Sequence, residues 1–142
     1  MISVVSDANV AFKWFHADGE PEVEASRALV HLFGERLISL SVLDLTKYEV
    51  GSALLRGRAA VSAHQASTVL NALAEICPQL KPSVVEMRDA AGLAEQHGLT
   101  LYDAAYAAVA RSRGAELATM DKALLKAGLG HRPSEIVARV GE

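Results

Sequence analysis

The chain has little of what defines secreted and membrane proteins. It carries one cysteine, Cys77, in 142 residues, so no internal disulfide can form and a reducing compartment fits best. We expect this side chain to act as a small buried hydrophobe. The sequence contains no run of about 18 strongly apolar residues, the length that a membrane-spanning helix needs. The N-terminus lacks the pattern of a signal peptide. We therefore expect a cytoplasmic protein with no membrane partner.

Aromatic residues and net charge are also scarce. Aromatics make up 5% of the chain although 51% of it is hydrophobic, which predicts an aliphatic, alanine-rich core. The formal net charge is −3, so a nucleic-acid partner would have to be held by local basic patches or by metal ions. The length predicts a single domain over residues 1–142.

Short apolar runs alternate with helical patterns along the chain, which predicts an α/β fold. The predicted strands are Ile2–Ser6, Leu37–Leu40, a short one ending near Val85, and Ala115–Thr119. The predicted helices are 8–15, 21–33, 42–56, 62–76, 86–96, 101–113 and 122–127. Strands joined through helices pair in parallel. We therefore expect a three-layer α/β/α sandwich around a parallel sheet of four or five short strands.

Local capping patterns add detail to this outline. Ser41 with Asp44, and Ser62 with Gln65, have the spacing of capping boxes at helix starts. The tail after His131 allows two interpretations, an edge strand at 136–137 or a last helical turn capped by Ser134.

Four acids fall near the predicted carboxyl edge of the sheet. Asp7 and Asp121 each follow a strand, Glu49 lies early in the helix after the second strand, and Asp103 lies in the first turn of the sixth helix. Ligands bind at this edge in open α/β sheets. Clustered carboxylates repel one another unless a cation is present, and oxygen ligands select Mg²⁺ or Mn²⁺. Such ions can activate water for phosphodiester hydrolysis.

Each acid also has an ordinary interpretation. Asp7 and Asp121 could simply cap the helices that follow them, and Asp103 could form a capping box with Thr100. Glu49 could be a solvated surface residue. The case for a site therefore depends on the joint placement of the four.

Four segments resemble one known family. They are Val5–Phe15, Leu45–Val50, Gly98–Tyr106 and Ala118–Lys122. In order and spacing they resemble the motifs of PIN-domain ribonucleases, most closely the VapC-type toxins of toxin–antitoxin pairs. The resemblance implies a PIN-like fold and a Mg²⁺- or Mn²⁺-dependent endoribonuclease.

The resemblance also assigns roles to individual residues. It implies that Asp7, Glu49, Asp103 and Asp121 are the catalytic and metal-binding acids. Thr119 matches a hydroxyl residue that supports the site, and we expect Asn9 to support it too. Some members carry a further acid where this chain has Lys122–Ala123. The sequence therefore fits a site with one metal ion or with two.

Two other functions share part of this pattern. A haloacid-dehalogenase-like phosphatase also starts with an aspartate after its first strand, but it needs a second one two residues later, where this chain has Asn9. A PIN-fold binding module without activity would keep the fold and lose the acids, whereas all four are present.

The partners implied are RNA, a VapB-type antitoxin and a second copy of the chain. Lys13 and Lys47 are the leading candidates for RNA contacts because they lie near Asp7 and Glu49 in sequence. Further basic candidates are Arg56, Arg58, Arg111, Arg113 and Lys122. For the antitoxin we expect a groove between Phe12, Trp14 and Phe15 and the second helix, with at least one of these aromatics accessible. The homodimer follows from the resemblance only.

Overall fold

The computed structural model describes residues 1–57 and 59–140. Its sheet has four parallel strands, β1 (Ile2–Ser6), β2 (Ile38–Leu43), β3 (Gln79–Leu80) and β4 (Glu116–Ala118). Their spatial order is β3-β2-β1-β4. The first strand is therefore central, and its carboxyl end lies between those of β2 and β4.

Alternation along β1 divides the apolar side chains between two cores. Val4, opposite Leu40, contributes to the core on one face, and Val5, opposite Leu117, contributes to the core on the other. Successive strand residues point to opposite faces, so helices must cover both sides. The predicted three-layer α/β/α sandwich is confirmed.

Eight helices form the two outer layers of the described chain. One face carries α1 (Ala8–Ala11), α2 (Val23–Gly34), α3 (Thr46–Arg56), α4 (Ala63–Ile76) and α8 (Pro133–Arg139). The other carries α5 (Val84–His97), α6 (Leu101–Ser112) and α7 (Lys122–Lys126). Residues 104–110 of α6 are all buried. Five of these seven are alanine, which lets α6 pack closely between β1 and α5.

The predicted capping box at Ser41 and Asp44 is wrong. Ser41 pairs with Val5 inside β2, and the Asp44 N–H donates to the Leu80 carbonyl at 2.9 Å. All of residues 38–43 therefore form the strand β2. Helix α3 begins four residues later than predicted, at Thr46. Burial of a central strand outweighs a local cap. The Ser62–Gln65 box is confirmed.

Other boundaries also differ from the sequence predictions. The first predicted helix ends at Ala11 and continues as a 3₁₀ turn, Phe12–Trp14. The second begins at Val23, because Glu22 adopts a left-handed conformation with φ 57°. The third strand ends at Leu80, because Ser83 caps α5.

The tail forms a helix. The edge-strand interpretation of Ile136 and Val137 is wrong, because both lie in α8. Arg132 is the residue that precedes this helix, so Ser134 does not cap it. Within the described ranges, no helix is both long and apolar enough to cross a membrane.

Candidate active site

The carboxyl ends of the two adjacent strands β1 and β4 form the floor of the candidate site. Asp7 directly follows β1, and Thr119 directly follows β4. The Asp7 N–H donates to the Ala118 carbonyl at 2.9 Å, so the two strand ends are held in register where the acids begin.

Asp7 is the most enclosed of the four acids, with 3% of its surface exposed. Its Oδ1 accepts from the Ala8 N–H at 2.7 Å, so it caps α1 as the ordinary interpretation predicted. Its Oδ2 accepts from the Thr119 hydroxyl at 2.7 Å. Both donors are neutral, so the carboxylate is oriented without a compensating positive charge.

Thr119 and Asn9 connect the loop after β4 to Asp7. The Thr119 hydroxyl also accepts from the Asp121 N–H at 3.0 Å. The Asn9 side-chain oxygen accepts from the Met120 N–H at 3.1 Å, and its amide nitrogen lies 3.4 Å from Asp7 Oδ2. These contacts are what a supporting role for the two residues requires.

Glu49 is placed by a hydrogen-bond chain that sequence reasoning missed. Its Oε1 accepts from the Tyr106 hydroxyl at 2.8 Å, and that hydroxyl lies 2.6 Å from Thr46 Oγ1. Glu49 is therefore tied to α6, the helix that carries Asp103. The available signal was spacing, because Thr46 and Glu49, like Asp103 and Tyr106, are three residues apart on one helix face.

Asp103 and Asp121 both occupy helix starts. Thr100 caps α6 by accepting from the Asp103 N–H at 3.1 Å, which is one of the two hydrogen bonds of the predicted capping box. Asp121 caps α7, with Oδ1 accepting from the Leu124 N–H at 2.9 Å. Capping and membership of the acidic group therefore coexist in these residues.

The four acids interact electrostatically. Burial is the largest cause that raises the pKa of Asp7. Together with the charges of Glu49 and Asp103 it outweighs the opposing Thr119 hydrogen bond and brings this pKa to about 7. Burial, then the charge of Asp103, raises the pKa of Glu49. Burial, then the charge of Asp121, raises the pKa of Asp103. The described part of the sheet edge thus gathers carboxylates that repel one another.

The acids do not form a closed metal cage. Among residues 1–57 and 59–140, no three His, Cys, Asp or Glu side chains come together in a group that could hold a metal ion by themselves. The four predicted ligands therefore lie near enough to repel one another without being gathered into one such group.

The predicted RNA contacts differ in accessibility. Lys13 is 3% exposed, and its Nζ pairs with Glu20 Oε1 at 2.9 Å. Lys47 is half-buried, with Nζ 3.4 Å from Gln79 Oε1 and 5.5 Å from the ring centre of Tyr48. Arg113 is paired with Glu86, and Arg58 lies outside the described residues. Burial and pairing thus favour Lys47 over Lys13.

The predicted aromatic cluster is divided between core and surface. Trp14 is 9% exposed, and its indole N–H donates to the Ser26 carbonyl at 2.9 Å, so it belongs to the core. Phe12 and Phe15 are half-buried. Phe12 lines a groove of about 290 Å³ whose other wall is Glu49 and Ala53 of α3. The prediction that α2 forms this wall is wrong.

Comparison with known proteins identifies the family. The PIN domain family matches residues 4–129 of the chain. Ribonuclease VapC3 of Pyrobaculum aerophilum is 41% identical over an alignment of 98 residues that covers 63% of this chain and 75% of that protein.

Solved structures give the same fold. PAE2754 from Pyrobaculum aerophilum aligns with a TM-score of 0.71 at 25% identity, covering 98% of this chain and 95% of that one. A toxin–antitoxin complex from Klebsiella pneumoniae aligns with a TM-score of 0.64 at 22% identity, covering 92% and 97%. The family match spans most of the sequence and all four acids, so the chain belongs to the PIN-domain family, in which it resembles the VapC ribonucleases.

Proposed function

We propose that this protein is a metal-dependent endoribonuclease, the toxin of a toxin–antitoxin pair. The observation that carries the proposal is Asp7, a carboxylate that is 3% exposed at the central strand end and is acted on by the charges of Glu49 and Asp103. Such an arrangement is costly without a cation. Similarity to ribonuclease VapC3 supports RNA as the substrate.

The donor set fits Mg²⁺ or Mn²⁺. Asp7, Glu49, Asp103 and Asp121 offer only carboxylate oxygens, the ligands that hard ions prefer. Mg²⁺ keeps several waters and takes few protein ligands, which agrees with acids that lie near one another without closing a cage. When bound, the ion would supply a water activated for attack on phosphorus and stabilise the leaving oxygen.

The protein's own residues orient that chemistry. Thr119 and the Ala8 N–H hold Asp7 in one position, and Tyr106 holds Glu49. Ala8, Asn9 and Phe12 line the groove that reaches Glu49, which gives an RNA strand a path to the acids. Lys13 lines the same groove but is already paired with Glu20, so other basic residues, Lys47 foremost, would hold the phosphates.

Regulation by a VapB-type antitoxin is part of the proposal. One structural relative is a toxin–antitoxin complex. The half-buried Phe12 and the groove beside Glu49 offer an apolar contact next to the acids, where a bound peptide would obstruct access to Asp7. Homodimer formation and a cytoplasmic location accompany the proposal through the VapC resemblance.

A catalytically silent PIN-fold binding module is the remaining alternative. The phosphatase alternative has no support, because the matched family is the PIN domain. In addition, the side-chain oxygen of Asn9 accepts a hydrogen bond from the Met120 N–H.

The decisive experiment is RNA cleavage by wild type and Asp7→Asn in Mn²⁺. We expect a loss of cleavage of at least about 10²-fold in the variant, since removal of a single group that stabilises the transition state costs this much or more. Asp18→Asn, in an exposed loop, is the matched control and should cleave normally. Equal cleavage by wild type and Asp7→Asn would contradict the proposal, and no cleavage by wild type would favour the binding module. Mapping RNA ends after brief induction would then identify the target.

A further inference from the structure

Two helices from opposite faces of the sheet each present a pair of polar groups at the candidate site. Helix α3 carries Thr46 and Glu49, and α6 carries Asp103 and Tyr106. Residues three apart lie on the same helix face. The Tyr106 hydroxyl lies between the two helices, 2.8 Å from Glu49 Oε1 and 2.6 Å from Thr46 Oγ1.

The direction of these hydrogen bonds follows from the number of protons available. The Leu43 N–H donates to Thr46 Oγ1 at 3.2 Å. A hydroxyl has one proton, and the carboxylate of Glu49 can only accept, so Tyr106 donates to Glu49 and Thr46 donates to Tyr106. The chain therefore runs in one direction, from the backbone at the end of β2 to Glu49.

The burial of Tyr106 makes this chain rigid. Tyr106 is 0% exposed and heads the fully buried side chains by volume. Its ring is held in the core, so its hydroxyl has little freedom to turn away from Glu49. Glu49 Oε2 makes no hydrogen bond within the described residues. One carboxylate oxygen is thus fixed, and the other is left without a hydrogen bond from the described residues.

We propose that Tyr106 is a positioning residue that holds Glu49 in the orientation needed to bind the catalytic cation. This inference rests on the proposed function and adds a residue that acts through Glu49. Partners that orient a ligand typically change metal affinity by about 10- to 100-fold when they are removed. The alternative is that Tyr106 only fills the core, and Tyr106→Phe distinguishes the two because it keeps the ring and removes the hydroxyl.

The test is Mn²⁺ binding by calorimetry, which needs no RNA. We expect Tyr106→Phe to raise the Mn²⁺ Kd about tenfold. Tyr102→Phe is the matched control, since it removes the same group from the same helix at a residue that is 64% exposed. Its Kd should equal that of wild type. At saturating Mn²⁺, RNA cleavage by Tyr106→Phe should return to within about twofold of wild type, since the acids themselves are intact.

A second pair of variants tests the chain if Tyr106→Phe does not fold. Thr46→Val removes the donor to Tyr106, and Thr46→Ser keeps it. We expect Thr46→Val to weaken Mn²⁺ binding about threefold and Thr46→Ser to leave it unchanged. Folded Tyr106→Phe with a wild-type Kd, or Thr46→Val and Thr46→Ser with equal Kd values, would overturn the positioning role alone. Wild type that binds no Mn²⁺ would overturn the proposed function and this role with it.

Discussion

Asp7 and Glu86 are buried to the same extent, each 3% exposed, and yet their surroundings are opposite. Glu86 receives two hydrogen bonds from the Arg113 guanidinium, both at 3.0 Å, and one from the Ser83 N–H at 2.8 Å. Asp7 receives only neutral donors and has other carboxylates nearby. Burial by itself therefore does not decide what a carboxylate does.

The pKa values of the two groups move in opposite directions. Hydrogen bonds from Arg113 lower the pKa of Glu86 to about 2, although burial opposes them. Burial, together with the charges of neighbouring acids, raises the pKa of Asp7 to about 7. The charge of Glu86 is balanced by Arg113 within the fold, and this pair connects α5 to the end of α6. Asp7 lacks a counter-charge, and this absence is the physical argument for a cation at the sheet edge.

The sharpest way to test this contrast is the pH dependence of stability without metal. The folded pKa of Asp7 lies above its ordinary value of 3.8, so the native state binds more protons and loses stability as pH rises from about 4 to about 7. The loss from Asp7 can reach roughly 4 kcal/mol. Asp7→Asn should show a much smaller decline, due to Glu49 and Asp103, in urea melts with EDTA. If the stability of wild type and of Asp7→Asn changed with pH in the same way, ionisation of Asp7 would not destabilise the native state.

The second test removes the partner that Glu86 has and Asp7 lacks. Arg113→Met leaves Glu86 buried without its guanidinium, and we expect a loss of about 3 kcal/mol at pH 7, toward the lower end of the range for broken buried pairs because Arg113 is partly exposed. The double variant Glu86→Gln/Arg113→Met should recover much of this loss. Urea melts at pH 7 measure both.

The Glu86 pair has its own pH signature. Because its folded pKa is lowered, its contribution is present above about pH 4.5 and is lost as pH falls toward about 2. If Arg113→Met were as stable as wild type, the contrast between the two carboxylates would have no energetic basis.

The sequence predicted most of the elements because their signals are local. Ser62 and Thr100 begin helices through caps that three or four residues encode. The acids after β1 and β4 were placed correctly at the sheet edge for the same reason, since parallel topology brings strand ends together. The end of β2 was missed, because the run 38–43 becomes a strand through pairing with β1 and β3, which are distant in sequence.

The fine structure of the site could not be predicted for a similar reason. Tyr106 contacts Glu49 across 57 positions, and Thr119 contacts Asp7 across 112. Hydrogen bonds between such distant residues depend on helix packing that no local pattern specifies. The burial of Lys13 and Trp14 likewise depends on α2 and the loop before it, which supply Ser26 and Glu20 as partners.

The third prediction concerns metal binding at the carboxyl edge of the sheet, where Asp7 lies. A ligand that binds only the native state stabilises it by mass action, by about 2 kcal/mol at roughly thirty times its Kd. We expect Mn²⁺ to raise the melting temperature of wild type at pH 7.5 and to raise that of Asp7→Asn much less. Glu86→Gln, which changes the compensated carboxylate, should keep the full Mn²⁺ effect. Equal shifts in wild type and Asp7→Asn would count against Asp7 as a ligand.

The smallest predicted effect concerns the two lysines proposed to contact RNA. Lys13 resembles Glu86 more than Asp7, because it is buried and its charge is already paired, with Glu20. A paired ammonium releases no net counterion charge when phosphate approaches, whereas each free lysine contact adds about 0.7 to the salt slope for single-stranded nucleic acid. We therefore expect Lys47→Met to reduce the slope of log K against log salt by about this amount and Lys13→Met to leave it nearly unchanged. Filter binding of RNA to an Asp7→Asn background, which prevents cleavage, measures both. A larger effect from Lys13 than from Lys47 would mean that RNA displaces Glu20, and the loop at 15–21 would then be part of the RNA-binding surface.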